Sequence, residues 1–350
     1  MKQIYILTVF LLIGLHIQSQ TTDVVSGLGS PRGILLNGND LYIAESSAGK
    51  ISKIDITSNS PVATDVVTGL YNLTDNVQEI AISGNDLYFS QSFLSKISKI
   101  DITSSSPTVI DVATGLNNPG GILLNGNDLY IAEYSSGKIT KIDISDSSPM
   151  VTDVVTGLNG PIDISLYGDD LYIAEYDADK ISKIDITSNS PVATDVVTVS
   201  VPYSMLINNN DLYIVESGAN KISKIDITDS SPIATDVLLG NTPVGLAINN
   251  NSLYLSSNTD GKIKELNLSE LSINETFFNR NVVIFPNPSN NFIQLANLTK
   301  RAKYRVYNVV GSEIYRGSVS VNEKIDIKNF TNGLYFLKFD NGNTLKFIKE

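Results

Sequence analysis

Between residues 22 and 268, short apolar runs alternate with clusters of Gly, Asn, Ser and Pro, and the runs come in sets of four. One set opens with Gly120-Gly121-Ile122-Leu123-Leu124 after Pro119 and continues with Leu129-Tyr130-Ile131-Ala132. Lys138-Ile139-Thr140-Lys141-Ile142-Asp143 follows, and Thr152-Asp153-Val154-Val155 closes the set. Runs this short, rich in β-branched and aromatic residues and bounded by turn formers, predict β-strands, called A to D below. Asn125-Gly126-Asn127, between A and B, predicts a hairpin turn, because Asn and Gly tolerate positive φ. Strands A and B are apolar at nearly every position, which suits strands covered on both faces. Strand C carries Lys and Asp and suits a place nearer a solvated rim. No helical spacing of apolar residues interrupts the region.

The triplet Asp-Leu-Tyr, or a close variant, recurs with its leucine at Leu41, Leu87, Leu129, Leu171, Leu212 and Leu253, at spacings of 46, 42, 42, 41 and 41 residues. A period of that length with four strands per unit predicts an all-β chain built as a six-bladed β-propeller. Thr22-Asp23-Val24-Val25 has the strand D pattern but precedes the first strand A, and the last unit stops at strand C, residues 262–268. The N-terminal segment is therefore expected to supply the missing strand of the sixth blade. That closure hides an edge that an open array would expose. Residues 50–68 and 180–198 are identical over 19 positions, so the specificity of any ligand contact must come from positions where the units differ.

Leu129-Tyr130-Ile131-Ala132-Glu133 followed by Gly137-Lys138-Ile139 resembles the repeat of NHL-type propellers. The whole array is similar to the NHL, YWTD and lactonase-like six-bladed groups, although the chain has no tryptophan, a departure from the YWTD pattern. The resemblance implies a fold and little about activity, since propellers host many unrelated functions.

After a polar linker at residues 269–281 the pattern changes. Tyr304-Arg305-Val306-Tyr307-Asn308 alternates with period two, and Leu334-Tyr335-Phe336-Leu337-Lys338-Phe339 predicts a second strong strand. Residues 282–350 thus predict a small immunoglobulin-like β-sandwich. Phe285, Pro286, Asn287 and Pro288, then Tyr307-Asn308 with Gly311, then Gly333 with Tyr335, and the basic end at Lys346 resemble, in that order, a type IX secretion C-terminal sorting domain of type A. An ordinary immunoglobulin-like accessory domain satisfies the same strand pattern. The sorting resemblance implies passage through the periplasm, handling by the type IX machinery, and release or attachment at the outer-membrane surface. Residues 1–20 fit such a route: one charge at Lys2, an apolar run at 4–17 and small residues near Ser19 read as a secretory signal. The propeller then spans residues 21–268.

Composition narrows the chemistry. There is no cysteine, and the single histidine, His16, lies in the signal-like segment. Ser-His-Asp and Cys-His catalysis and the usual zinc sites are thereby excluded from the rest of the chain. A streptogramin-lyase-like reading, which needs a histidine, fails for the same reason. Residues 21–274 hold 13 Lys+Arg against 31 Asp+Glu, a net of −18, and residues 275–350 hold 11 against 6, a net of +5. An acidic propeller repels nucleic acid and anionic membranes. No segment after residue 20 is apolar enough to span a bilayer.

Propeller ligands usually gather at the channel mouth, where the D–A and B–C loops open. At the D–A junction the six units carry Arg32-Gly33, Gln78-Glu79, Gly120-Gly121, Ile162-Asp163, Tyr203-Ser204 and Val244-Gly245. These positions vary while the scaffold repeats, as one asymmetric ligand site requires and as drift after duplication also allows. The second unit has a longer D–A loop, adding Tyr71 and Asp75 to that face. The candidate ligand residues are Arg32, Tyr71, Asp75, Gln78, Glu79, Asp163 and Tyr203, facing a glycan, a peptide or a surface protein. The lactonase-like resemblance implies an alternative, a calcium-dependent hydrolase with Glu79 and Asp163 as metal ligands. A third reading is a structural or adhesive spacer. Glu45, Glu133, Glu175 and Glu216, repeated at the end of strand B, are expected to bond backbone amides of the following turn rather than act catalytically.

Overall fold

The computed structural model describes residues 21–70, 77–271, 282–296, 298, 301–320, 323–339 and 344–350. The signal-like segment, most of the linker, Tyr71 and Asp75 lie outside the described residues. Two compact units meet between Asn267 and Leu268.

The first unit holds six four-stranded antiparallel sheets. Blade 1 comprises Pro31–Asn37, Asp40–Glu45, Lys50–Asp55 and Thr64–Val67, and blades 2 to 5 repeat the arrangement up to Leu239. Blade 6 takes strands A to C from Pro243–Asn249, Ser252–Ser257 and Lys262–Asn267, and its outer strand is Thr22–Ser26. The register there is Thr22 to Glu265, Asp23 to Lys264, Val25 to Ile263 and Ser26 to Lys262. The Leu28 N–H extends the seam by donating to the Gly261 carbonyl at 3.0 Å. The ring is thus closed by the N-terminal strand, as the strand count predicts.

The doubly apolar A and B strands are explained by cores that form between blades. Ala44, Ile51 and Val67 of blade 1 pack against Ile80, Leu87 and Phe89 of blade 2. Ile34, Leu41 and Ile54 of blade 1 pack against Ala247, Tyr254 and Ile263 of blade 6. Each fully buried aliphatic side chain contributes about 1.5–3 kcal/mol, so the ring is held by side-chain layers. The Asp-Leu-Tyr triplet has its own local reason. In blade 1, Lys53 reaches across from strand C to Asp40 at 2.6 Å and lies 5.7 Å from the centroid of the Tyr42 ring. The same clamp recurs at Lys99, Lys141 and Lys183.

The second unit pairs a three-stranded sheet (Val283–Phe285, Phe292–Ala296, Lys324–Asp326) with a four-stranded one. The latter runs Glu313–Val319, Ala302–Asn308, Gly333–Phe339, Thr344–Lys349 in spatial order. Ala302, Tyr304 and Val306 point inward while Lys303 and Arg305 face solvent, and Ile293, Leu295, Val306, Leu337 and Phe347 are fully buried. The sorting motif converges in this unit. The Asn287 carboxamide accepts the Ile348 N–H at 2.9 Å and donates to the carbonyl of Lys346 at 3.2 Å. The loop of Phe285, Pro286, Asn287 and Pro288 is thereby pinned to the last strand. Tyr335 stacks on Phe347 at 5.5 Å and donates its hydroxyl to the Thr331 carbonyl at 2.7 Å. Gly311 takes φ 81° in the turn between the two strands that open the larger sheet, a conformation that favours glycine.

Candidate functional site

Strand A of every blade starts at the axis. The residues two places past the junction proline (Val77 in blade 2) are Gly33, Glu79, Gly121, Asp163, Ser204 and Gly245, and they line one axial cavity of about 20 Å³. That is room for about one water. Close approach of six strands explains the glycines. A Cβ on Gly33 would lie 2.6 Å from Glu79 Oε1, and one on Gly121 would lie 2.4 Å from Asp163 Oδ1. Each carboxylate is seated on the glycine of the preceding blade.

The structure brings Glu79 and Asp163 into the same cavity. Asp163 Oδ2 accepts the Met205 N–H at 2.7 Å and Oδ1 accepts the Ile164 N–H at 2.8 Å. Burial raises the Asp163 carboxyl to about 6, against the pull of those donors and of the Ser204 hydroxyl. Glu79 keeps some surface open to the cavity, but protein surrounds it there. Burial first, and then the Asp163 charge, push its carboxyl well above the ordinary range, opposed only by the Ile80 N–H on Oε1 at 3.1 Å. Both carboxyls are thus held above their ordinary range. This donor set fits calcium poorly. The ion takes six to eight oxygens, whereas here amide N–H groups already face the carboxylates. Among the described residues no group of three or more His, Cys, Asp or Glu is arranged to hold a metal.

Arg32, Gln78 and Tyr203 sit one residue nearer the mouth. Arg32 Nη1 donates to Gln78 Oε1 at 2.9 Å and to the Tyr203 hydroxyl, and its Nε donates to Ser46 Oγ at 3.2 Å. The Tyr203 hydroxyl also donates to Gln78 Oε1 at 3.3 Å. Blades 1, 2 and 5 are thus bridged across the axis. Of the seven candidate ligand residues, these five converge and two fall outside the described residues.

The repeated strand B glutamates bond backbone, as expected, but not that of the following turn. Glu45 Oε2 accepts the Gly29 N–H at 2.7 Å, and Glu133, Glu175 and Glu216 accept the N–H of Asn117, Asn159 and Ser200, each at 2.8 Å. These amides lie in the D–A junction. Antiparallel pairing puts the end of B beside the entry to A, so the nearer orphan donors are there. Tyr134 and Tyr176, each directly after one of these glutamates, were not singled out from the sequence. With Tyr203 they form an edge-to-face row, with ring centroids 6.0 and 6.4 Å apart.

Residues 283–350 match the family described as Secretion system C-terminal sorting domain. The C-terminal domain is a sorting domain of type IX secretion. The sorting domain sends the chain to the cell surface or the extracellular space, and among the described residues no helix is long and apolar enough to cross a membrane. No curated protein matches the chain by sequence. Solved structures do match the propeller. A catalytically inactive histidine-to-alanine variant of virginiamycin B lyase from Staphylococcus aureus, with quinupristin, is 19% identical with a TM-score of 0.53, covering 71% of this chain and 98% of that one. A PQQ-bound aldose sugar dehydrogenase from Streptomyces coelicolor is 15% identical with a TM-score of 0.54, covering 71% and 98%. A luciferin-regenerating enzyme is 12% identical with a TM-score of 0.57, covering 71% and 94%. At these identities the likeness is one of fold, that of a propeller.

Proposed function

We propose that the protein is a non-catalytic binding module, carried to the surface by its sorting domain, whose propeller mouth contacts a glycan, a peptide or another surface protein. The observation that carries this reading is the bridge of Arg32, Gln78 and Tyr203, built from positions that differ in every blade of an otherwise repeating scaffold. A hydrolase reading asks the axial carboxylates to act on a substrate, yet a cavity of about 20 Å³ admits none. The lyase neighbour is inactive when a histidine is replaced, and this chain has no histidine beyond His16.

The test is capture of surface glycans and peptides on an array by the mature chain. Tyr203→Ala is expected to lower capture at least about tenfold with an unchanged melting temperature, as truncation of a central aromatic anchor does. Capture that survives both Tyr203→Ala and Arg32→Ala would remove the mouth from the reading. An array with no hit leaves the spacer role.

A further inference from the structure

We infer that the off-axis groove over blades 4 to 6 is a binding subsite for a short neutral oligosaccharide, which names the ligand class of the binding reading above and rests on it. The groove has a volume of about 480 Å³, within the range of small-ligand clefts, against about 20 Å³ for the axial cavity. Tyr176 and Tyr203 stand at right angles on its inner side, both half-buried, so each keeps ring surface open. Asn220, Thr242, Asn258 and Thr259 supply amide and hydroxyl groups along the rest of the lining. No carboxylate lines it, and its single cation, Arg32, is bonded to Gln78, Tyr203 and Ser46.

That chemistry matches a neutral sugar. A pyranose has apolar C–H faces that pack on aromatic rings, and hydroxyls that both donate and accept against amides and side-chain hydroxyls. A charged ligand would need a free opposite charge, which this lining does not hold out to it.

A second observation comes from the backbone. The residue before the junction proline has positive φ in the described D–A loops. In blades 1, 3 and 4 it is Ser30, Asn118 or Gly160. Around the groove it is β-branched: Val201 at φ 48° and Thr242 at φ 42°. β-Branched residues are genuine outliers in this region, and such strain clusters at ligand sites. Packing maintains it. Thr242 N–H donates to Asn220 Oδ1 at 2.9 Å, and the Thr242 hydroxyl bonds the Thr259 hydroxyl at 2.6 Å. Val201 Cγ2 fills the space beside Gly218, where a Cβ would lie 2.7 Å away. The strained loops hold the groove's polar groups in one arrangement.

The experiment titrates the mature chain with maltotriose, cellotriose, mannotriose and chitotriose, with sialyllactose and an acidic peptide as counter-probes, read by saturation-transfer NMR and calorimetry. At least one neutral trisaccharide is expected to bind. Tyr176→Ala and the exposed Thr259→Ala are each expected to weaken it, the tyrosine variant by at least about tenfold, with melting unchanged. Binding that both variants leave intact overturns the inference. Binding of only the anionic probes overturns it too, while leaving the binding-module reading standing. If no trisaccharide binds, the subsite falls, and the array test above decides the broader reading alone.

Discussion

Replacing Glu79 by Gln should make the propeller more stable at neutral pH and remove the pH dependence that this carboxyl adds above pH 4.5. In the folded chain burial, and then the Asp163 charge, raise the Glu79 carboxyl well above its ordinary value of 4.5. In the unfolded chain it is ionised above that value, so folding takes up a proton. With a raised folded pKa the stability contribution is full below pH 4.5 and is lost as pH rises through the folded value, at about 1.4 kcal/mol per pH unit per proton. Asp163, raised from 3.8 to about 6, adds a second proton to the same slope below pH 6 and none above it.

Glutamine has the shape of the protonated acid and keeps an acceptor for the Ile80 N–H without needing a proton. The variant should therefore gain stability at pH 7, read as a higher melting temperature of the propeller, and almost nothing at pH 4. Above pH 4.5 its stability should fall less steeply with rising pH than that of the wild type. The background is clean, because the chain's only histidine is His16. Calorimetric melting of wild type and variant across pH 4 to 8 is the assay. A wild type whose stability is constant from pH 5 to 7, or a Gln variant less stable at pH 7.5 by the same amount as at pH 5, would refute the reading of raised axial carboxyls.

Two further outcomes follow from the ring. Deleting residues 22–26 removes the ladder on Lys262–Asn267 and bares its edge; the cost should be about 4 kcal/mol, roughly four hydrogen bonds at about 1 kcal/mol each, with light scattering rising on heating. An unchanged melting curve would mean the ring is closed by something else. Val201→Asn places the residue that blade 3 uses at Asn118 in the same left-handed conformation and should gain about 1 kcal/mol, read as a higher melting temperature; a lower one would show that Val201's contact at Gly218 outweighs its strain.

The blades were readable because every local signal repeats. Asn125-Gly126-Asn127 sets a turn, Leu129-Tyr130-Ile131 sets a doubly buried strand, and the period says how many copies pack side by side. The closing strand was readable by counting: Thr22–Ser26 is a strand D with no A, B or C before it. What lay beyond reach was which copies touch. Arg32 and Tyr203 are 171 residues apart, and only the curvature of the ring decides that one spans the axis to the other. The groove needs B–C turns from blades 5 and 6 and a tyrosine from blade 4 on one side of the mouth. The glutamates at the end of strand B were misdirected by one loop, because sequence proximity favours the turn that follows. The antiparallel register places the D–A junction closer.

A steric argument separates the two rings of variable positions at the axis. Six bulky side chains cannot share a cavity of about 20 Å³, so most of the inner ring must be small, and it runs Gly, Glu, Gly, Asp, Ser, Gly. A Cβ on Gly245 would lie 2.3 Å from the Arg32 carbonyl, and those on Gly33 and Gly121 would strike the neighbouring carboxylate residues. Packing accounts for the small residues of this ring, because larger ones do not fit, and each of the two acids sits on the glycine of the preceding blade. The next ring outward is limited at Gly120, where a Cβ would lie 2.5 Å from the Ile162 carbonyl, but elsewhere it admits large side chains. It holds Arg32, Gln78, Gly120, Ile162, Tyr203 and Val244, which differ in size and charge. Closing the ring does not require a guanidinium bonded to a phenol across the mouth; Val244 serves blade 6 at the same position. Asymmetry that packing explains carries no functional weight. Asymmetry left over, at Arg32 and Tyr203 and in the groove beside them, is what the binding proposal rests on.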